Sequence, residues 1–195
     1  FILAASLMVL TAAPSMAQSV NSVVVNHYNR FTFGYSATFW SDKTYSTTKN
    51  ALAVKYIHGF GISQKVPLYI ETGLRTNWIM EFKDKYYQMS MTVPANLAYR
   101  FTFNDVVSLQ PYSGLGLTIN TFATNDGRDV SGEFNRVQGS WQIGVGVNIR
   151  KFYAGMEYGL EFTDLAHKIG SSHFELNVGV NFYHYLRRRL TYSVN

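Results

Sequence analysis

The chain has 195 residues, enough for one domain, with 16% aromatic and only 15% charged residues. It contains no cysteine, which excludes disulfides, thiolate metal sites, a cysteine nucleophile and a lipid-anchored cysteine. The formal charge of +5 is spread thinly apart from Arg187-Arg188-Arg189, so nucleic acid is not an expected partner.

The first stretch, "FILAASLMVLTAAPSMAQ", carries no charge and is apolar and Ala-rich, with Ser15 and Ala17 as small residues near its end. This is the pattern of a secretory h-region and its cleavage site; it is too short for a membrane helix, which needs about 20 apolar residues. The expectation is a signal peptide over 1–17, cut after Ala17. A basic n-region is missing, so a few residues are expected ahead of Phe1. A short lead segment over 18–29 follows.

Eight alternating runs come next, near 30–40, 49–62, 67–80, 86–103, 107–122, 136–150, 153–163 and 172–186. A period of two means strands. Pro94 and Pro111 fall inside two runs, where they predict bulges or interrupted pairing. The connections differ in character. Gln64-Lys65-Val66, Asn104-Asp105-Val106 and Lys151-Phe152 are short, whereas "SDKTYSTTKN", "EFKDKY", "ATNDGRDVSGEFN" and "TDLAHKIGS" are mostly longer and polar. Three turns at one end and four loops at the other predict an all-β fold: an eight-stranded antiparallel up-and-down transmembrane β-barrel over 30–186. A short basic tail over 187–195 follows it.

Alternation alone does not say which face is inside. The window "WQIGVGVNIRKFYAGMEYGLEF" sets Trp141, Ile143, Val145, Val147, Met156, Tyr158 and Leu160 on one face, and glycines with Gln142, Arg150, Glu157 and Glu161 on the other. A soluble lipocalin-like barrel would turn the apolar face inward. An eight-stranded barrel, however, has an interior only wide enough to be filled by side chains. Gly34, Gly73, Gly114, Gly144, Gly155 and Gly179 share the polar face, and small residues suit so narrow a space. The bulky face, which also carries Phe31, Phe33, Tyr35, Phe174, Leu176, Val178, Val180 and Phe182, then meets lipid. The lumen is expected to hold Lys55, Arg75, Arg100 and Arg150 against Glu71, Glu157, Glu161 and Glu175, four of each sign. A hairpin centred near His167 and Lys168 places Glu161 opposite Glu175. That pair is a candidate cation site or a structural cap, with Lys168 or Lys43 as counter-ion.

The alternating runs, the turn and loop asymmetry and Gly-rich strands such as "GVGVNIR" and "ELNVGVNF" together resemble the outer-membrane β-barrel domain family (PorT-like), with a likeness to small OmpA/OmpX-type barrels. The resemblance implies the outer membrane of a Gram-negative-type bacterium, outer-membrane lipids as surroundings, and the barrel-assembly machinery during insertion. Such barrels usually end on an aromatic residue, whereas here Phe182, His184 and Leu186 lead into "RRRLTYSVN".

Catalytic patterns are sparse. The histidines His27, His58, His167, His173 and His184 form no H-E-x-x-H or other metal spacing, and no G-x-S-x-G or P-loop occurs. No cofactor and no catalytic residue is expected. "GSW" at Gly139 lies late in the chain and lacks a lipocalin context. The expected function is non-enzymatic: envelope integrity, or surface interaction with an envelope partner through the loops. A lipid-modifying enzyme (lipid A deacylase or acyltransferase class) is the alternative, for which His58 in "KYIHGFG" faces lipid by parity although the deacylase His-x-Ser pairing is absent. A narrow pore is a further alternative.

Overall fold

The computed structural model describes residues 27–42, 46–63, 66–83, 85–166 and 169–184. The expected signal peptide, most of the lead segment, Lys43, Lys168 and the basic tail lie outside them. Eight long strands are present: β1 (His27–Ser41), β2 (Ser46–Gly61), β3 (Leu68–Glu81), β4 (Tyr86–Tyr99), β5 (Val107–Asn125), β6 (Val137–Ile149), β7 (Phe152–Glu161) and β8 (Gly170–His184). Each pairs antiparallel with its chain neighbour, and β1 pairs with β8 from His27↔His184 to Ser41↔Gly170. The result is a closed eight-stranded antiparallel up-and-down β-barrel. Closure satisfies every strand edge, which a hydrocarbon environment demands.

The two faces differ in kind. In β1 the even positions Tyr28, Arg30, Thr32, Gly34 and Ser36 are buried, while Phe31, Phe33 and Tyr35 are about half exposed. Met156, Tyr158, Leu176, Val178 and Phe182 are likewise exposed on the outside, and Trp141, Val145, Phe174 and Val180 are partly covered by neighbours. Exposed Phe82 and Phe162 lie at the loop end and Phe103 and Phe152 at the turn end, as two aromatic girdles around an apolar band would. Strands of 9–11 residues suffice to cross a bilayer; β5 has 19 and β2 has 16, so they project beyond it.

The turns and loops correct several expectations. Ile149 pairs with Phe152, so the tight turn is Arg150-Lys151 rather than Lys151-Phe152. Arg150 has φ 54°, the left-handed conformation that two-residue hairpin loops favour. The stretch "SDKTYSTTKN" is mostly strand: only 42–45 connects β1 to β2. The connection from β5 to β6 begins with a second tight turn, Asp126-Gly127, both with positive φ, closed by Asn125↔Arg128. Asp-Gly is the residue pair that such turns prefer, and it lengthens the hairpin beyond the expected end at 122. The lead segment also gives up His27, Tyr28 and Asn29 to β1.

Neither proline causes a bulge. The β3–β4 register is unchanged on both sides of Pro94, where the ladder is interrupted. Pro111 lies opposite the break between Tyr99 and Phe101, after which β4 resumes for two residues with the register kept. Both follow from the missing N–H. The bulge is instead at Thr121, where the β4–β5 register shifts and the hydroxyl donates to the Met89 carbonyl at 2.8 Å.

Met156→Arg places a charge in the middle of the outward band and is expected to cost about 2–4 kcal/mol of folding stability in lipid vesicles, against about 0–1 kcal/mol for Val137→Arg near the rim. Equal losses in urea titrations of the two variants would contradict the assignment of the faces.

Candidate functional site

The lumen holds three stacked polar layers, each built by the period-two alternation of the strands. At the turn end Tyr28, Tyr69, Ala98 and Tyr112 form a buried cluster joined by Tyr183. Arg100 lies over the rings of Tyr28, Tyr69 and Tyr183 at 4.8, 5.3 and 5.0 Å, and its guanidinium donates to Gln110 Oε1 at 2.9 Å. Arg30 donates to Glu71 at 2.6 Å and lies 4.1 Å from the centre of the Tyr153 ring. Glu71, fully buried, also accepts from Gln110 at 2.8 Å and from the Tyr28 hydroxyl.

The middle layer resolves a conflict written into the register. Glu157 pairs with Glu175 across β7 and β8, and Lys55 pairs with Arg75 across β2 and β3. Like charges directly opposite destabilise a sheet. Here the acidic pair and the basic pair reach each other across the lumen. Lys55 Nζ lies 3.0 Å from Glu157 and 2.8 Å from Glu175. Arg75 lies 2.8 Å from Glu157 and 3.8 Å from Glu175. Tyr112 donates to Glu157 at 2.8 Å and Asn177 to Glu175 at 2.9 Å. Good geometry and extra hydrogen bonds are what allow buried charges to persist.

The upper layer centres on His173 and Glu161. Arg75 Nη1 lies 2.7 Å from His173 Nε2, and His173 Nδ1 lies 2.8 Å from Glu161 Oε1. His173 Nε2 also lies 3.4 Å from Glu157 Oε1, so both ring nitrogens face carboxylates. Above this layer Trp40, Ala51, Ile79, Tyr86, Val130 and Phe134 close the mouth, with Lys49 spanning the Trp40 and Tyr86 rings and paired with Glu81. Asn135 ties two loops together, its backbone N–H donating to Leu165 and its side chain to Asp164, both at 2.7 Å. In the same loop the N–H of Ser131 donates to Asp129 at 2.8 Å and helps hold that exposed carboxyl below its usual range.

Thus Lys55, Glu71, Arg75, Arg100, Glu157 and Glu175 are buried inside the barrel, and Glu161 is largely covered. Arg150 is not among them: its place in the turn leaves it exposed. Its role as a fourth lumen cation falls to Arg30, whose parity with Thr32 and Gly34 was the signal. Glu161 does not face Glu175. The β7–β8 pairing runs through Ser172↔Leu160 and Glu175↔Glu157, and Glu161 pairs with Ser140 on its other side. The hairpin centre lies two residues earlier than expected because the loop is asymmetric: Leu165 turns inward and is buried, and its N–H bonds the Ile169 carbonyl. An even shift keeps every residue on its face, so Glu157 replaces Glu161 as the partner of Glu175.

Several lumen glycines sit beneath rings. A Cβ on Gly59 would meet Tyr28, one on Gly144 would meet Tyr112, one on Gly146 would meet Tyr153, and one on Gly159 would meet His173. On the outer wall at the turn end, Asn29 Oδ1 accepts from Tyr56 at 2.9 Å and contacts His58 Nδ1, and the His27 and His58 rings stack at 6.1 Å. Two cavities lie inside the barrel, about 20 Å³ beside Lys55 and Glu157 and about 40 Å³ beside Glu161. Each has room for a few waters at most, and Arg75 lines both. Among the described residues no three histidine, aspartate or glutamate side chains converge as a metal centre would require.

No protein-family model and no curated protein matches the sequence. Solved structures do. Neisserial surface protein A superposes with a TM-score of 0.59 at 15% identity, covering 82% of this chain and 97% of that one. Ail, the attachment invasion locus protein of Yersinia pestis, gives 0.49 at 16% identity, covering 80% and 99%. The outer membrane enzyme PagL gives 0.47 at 9% identity, covering 76% and 98%.

Lys55→Met leaves two buried carboxylates facing each other with one cation, and is expected to cost about 3–5 kcal/mol. Adding Glu175→Gln removes the surplus charge, so the double variant should recover part of that loss. Urea unfolding of the two single variants and the double variant measures the coupling; strict additivity would show that the quartet does not act as a unit.

Proposed function

We propose that this protein is a non-enzymatic integral protein of a Gram-negative outer membrane, serving envelope integrity or surface interaction through its loop end. The observation that carries this reading is the closed, self-neutralised lumen beneath an ordered cap. The described interior is filled by paired side chains, and the cavities beside Lys55 and beside Glu161 are water-sized, so the diffusion pore is disfavoured. The cap is tied together by Asn135, which gives the loop end a defined surface. The fold shared with Neisserial surface protein A supports the membrane setting. The Gly-rich strands "GVGVNIR" and "ELNVGVNF" support the PorT-like branch of such barrels. Insertion by the barrel-assembly machinery and outer-membrane lipids as surroundings follow from the same reading.

A second reading rests on the outer-wall cluster of Asn29, Tyr56 and His58. The Asn29 amide oxygen contacts His58 Nδ1 and orients the ring, and imidazole is the commonest side chain in acid–base catalysis; this one lies on the outer wall at the turn end. It is the remaining support for a lipid-modifying enzyme. The strand backbone around it is committed to ladder pairing, which leaves no free N–H groups there to stabilise an oxyanion.

The purified barrel is expected to leave lipopolysaccharide and phospholipid chemically unchanged in mass spectrometry, and to give no stepwise conductance in planar bilayers. A deletion strain should lose resistance to detergent or chelator stress and regain it with the wild-type gene but not with a variant whose 126–136 loop is replaced by Gly-Ser. Turnover of lipid that disappears in His58→Ala would establish the enzymatic reading instead.

A further inference from the structure

We propose that the outer wall at the turn end binds a divalent transition-metal ion of the zinc, copper and nickel class through the imidazoles of His27 and His58, with His184 as the third ligand position. The first observation is a placement. His27 opens β1 and pairs with Phe60 of β2, and Asn29, two residues on, pairs with His58. His27 and His58 are therefore diagonal neighbours on one face, and their rings stack with centroids 6.1 Å apart. With metal–nitrogen bonds of about 2 Å, two imidazoles on one ion stand roughly 5–6 Å apart between ring centres, so the separation already matches. On the other side of β1, His184 of β8 pairs directly with His27. Directly opposite residues of an antiparallel pair share a face, with Cβ atoms about 4.5–5.5 Å apart. Three neighbouring strands, β2, β1 and β8, thus bring a histidine to one spot. Two of these side chains are described; the third position is fixed by backbone register.

The second observation is the company these rings keep. The outward positions around them are Phe31, Tyr56, Phe60 and Phe182, each about half exposed. Two half-buried imidazoles and an amide interrupt this aromatic wall. Ionisable side chains in membrane-spanning segments are costly and rare, and they mark functional sites. Asn29 Oδ1 contacts His58 Nδ1 and accepts from the Tyr56 hydroxyl at 2.9 Å. An oxygen acceptor on one ring nitrogen is the regular companion of a metal-bound imidazole, because it orients the ring and keeps the proton off the ligating nitrogen. Tyr56 holds that acceptor in place, and Phe60 packs edge-on against the His58 ring at 4.1 Å.

The donor set decides the ion. Imidazole nitrogen suits zinc, copper and nickel. Calcium and magnesium take oxygen ligands, carboxylates above all, and gain nothing from a histidine cluster.

The test is isothermal titration of the full barrel, refolded in detergent, with zinc chloride and, separately, with magnesium chloride at equal ionic strength. Zinc should bind a single saturable class of sites and raise the Tm by at least about 2 °C, since a ligand that prefers the folded state stabilises by mass action. Magnesium should do neither. His58→Phe, which matches the neighbouring outward positions, should abolish zinc binding; so should His27→Gln, which serves if the first variant fails to refold. Asn29→Leu should weaken binding by about tenfold or more, as loss of an orienting partner does, and His184→Ala should weaken it at least as much. His167→Gln, in the connection between β7 and β8, should leave it unchanged. Absence of zinc binding to the wild-type barrel overturns the site, and so does equal binding of magnesium. Zinc binding that persists in both His58→Phe and His27→Gln overturns it, as does full affinity in His184→Ala. Binding lost in His167→Gln instead would assign the ion to the loop end and overturn it as well.

Discussion

The structure depends on one electrostatic constraint: two like-charged cross-strand pairs that are each unfavourable alone and favourable only together. Glu157 beside Glu175 and Lys55 beside Arg75 sit on strand pairs that face one another across a lumen too narrow for screening water. In such a medium the attraction between opposite charges is strong, and so is the penalty for leaving one unpaired. The quartet can form only if the sheet closes with β8 beside β1. A slip of β7 against β8 by one residue would turn Glu157 towards lipid and leave Glu175 without its place in the quartet. The polar interior thus specifies the register of a barrel whose exterior, largely apolar, could accept many.

The glycines answer a matching steric constraint. Eight strands enclose little space, and the charged groups are joined by tyrosines and a histidine that must lie flat against the inner wall. Gly59, Gly144, Gly146 and Gly159 provide that wall, because a Cβ at any of them would collide with a ring. At Gly73 and Gly179 the approach is by backbone oxygens, of Tyr56 and Phe31 respectively, so the neighbouring strand itself requires the missing side chain. Glycine usually weakens a strand. Here the ring packed on it supplies the buried area and the hydrogen-bonding hydroxyl that the strand lacks.

This division of labour explains what was legible in the sequence. Alternation fixed the inside and outside of each strand, because a period of two survives any uncertainty about strand ends. It also contained Arg30 and His173, which share parity with Gly34 and Glu175 and lay at or beyond the margins of the expected runs and pairs. What it could not contain was register. The partner of Glu175 depends on how many residues the preceding loop consumes, and that depends on Leu165 folding inward against the cap, a tertiary contact with no periodic signature. Arg150 was misplaced for a related reason: parity persists into a turn, but the turn's left-handed residue no longer belongs to either face. The mouth cluster of Trp40, Tyr86 and Phe134 joins three distant segments and is visible only once they are brought together.

The same physics separates the two ends of the barrel. At the turn end the connections are short, and the closing aromatic layer of Tyr28, Tyr69 and Tyr183 is held around Arg100. At the loop end β5 and β2 extend past the apolar band, and the 126–136 and 162–166 segments fold back on the mouth. A loop that binds a partner loses conformational entropy in proportion to the freedom it had before. The 126–136 and 162–166 segments have already given up much of that freedom through the Asp126-Gly127 turn, the Ser131 hydrogen bonds and the Asn135 bridge. With the interior committed to neutralising itself, this preordered end is the surface on which recognition costs least, and it is held in place by the charged layers beneath it.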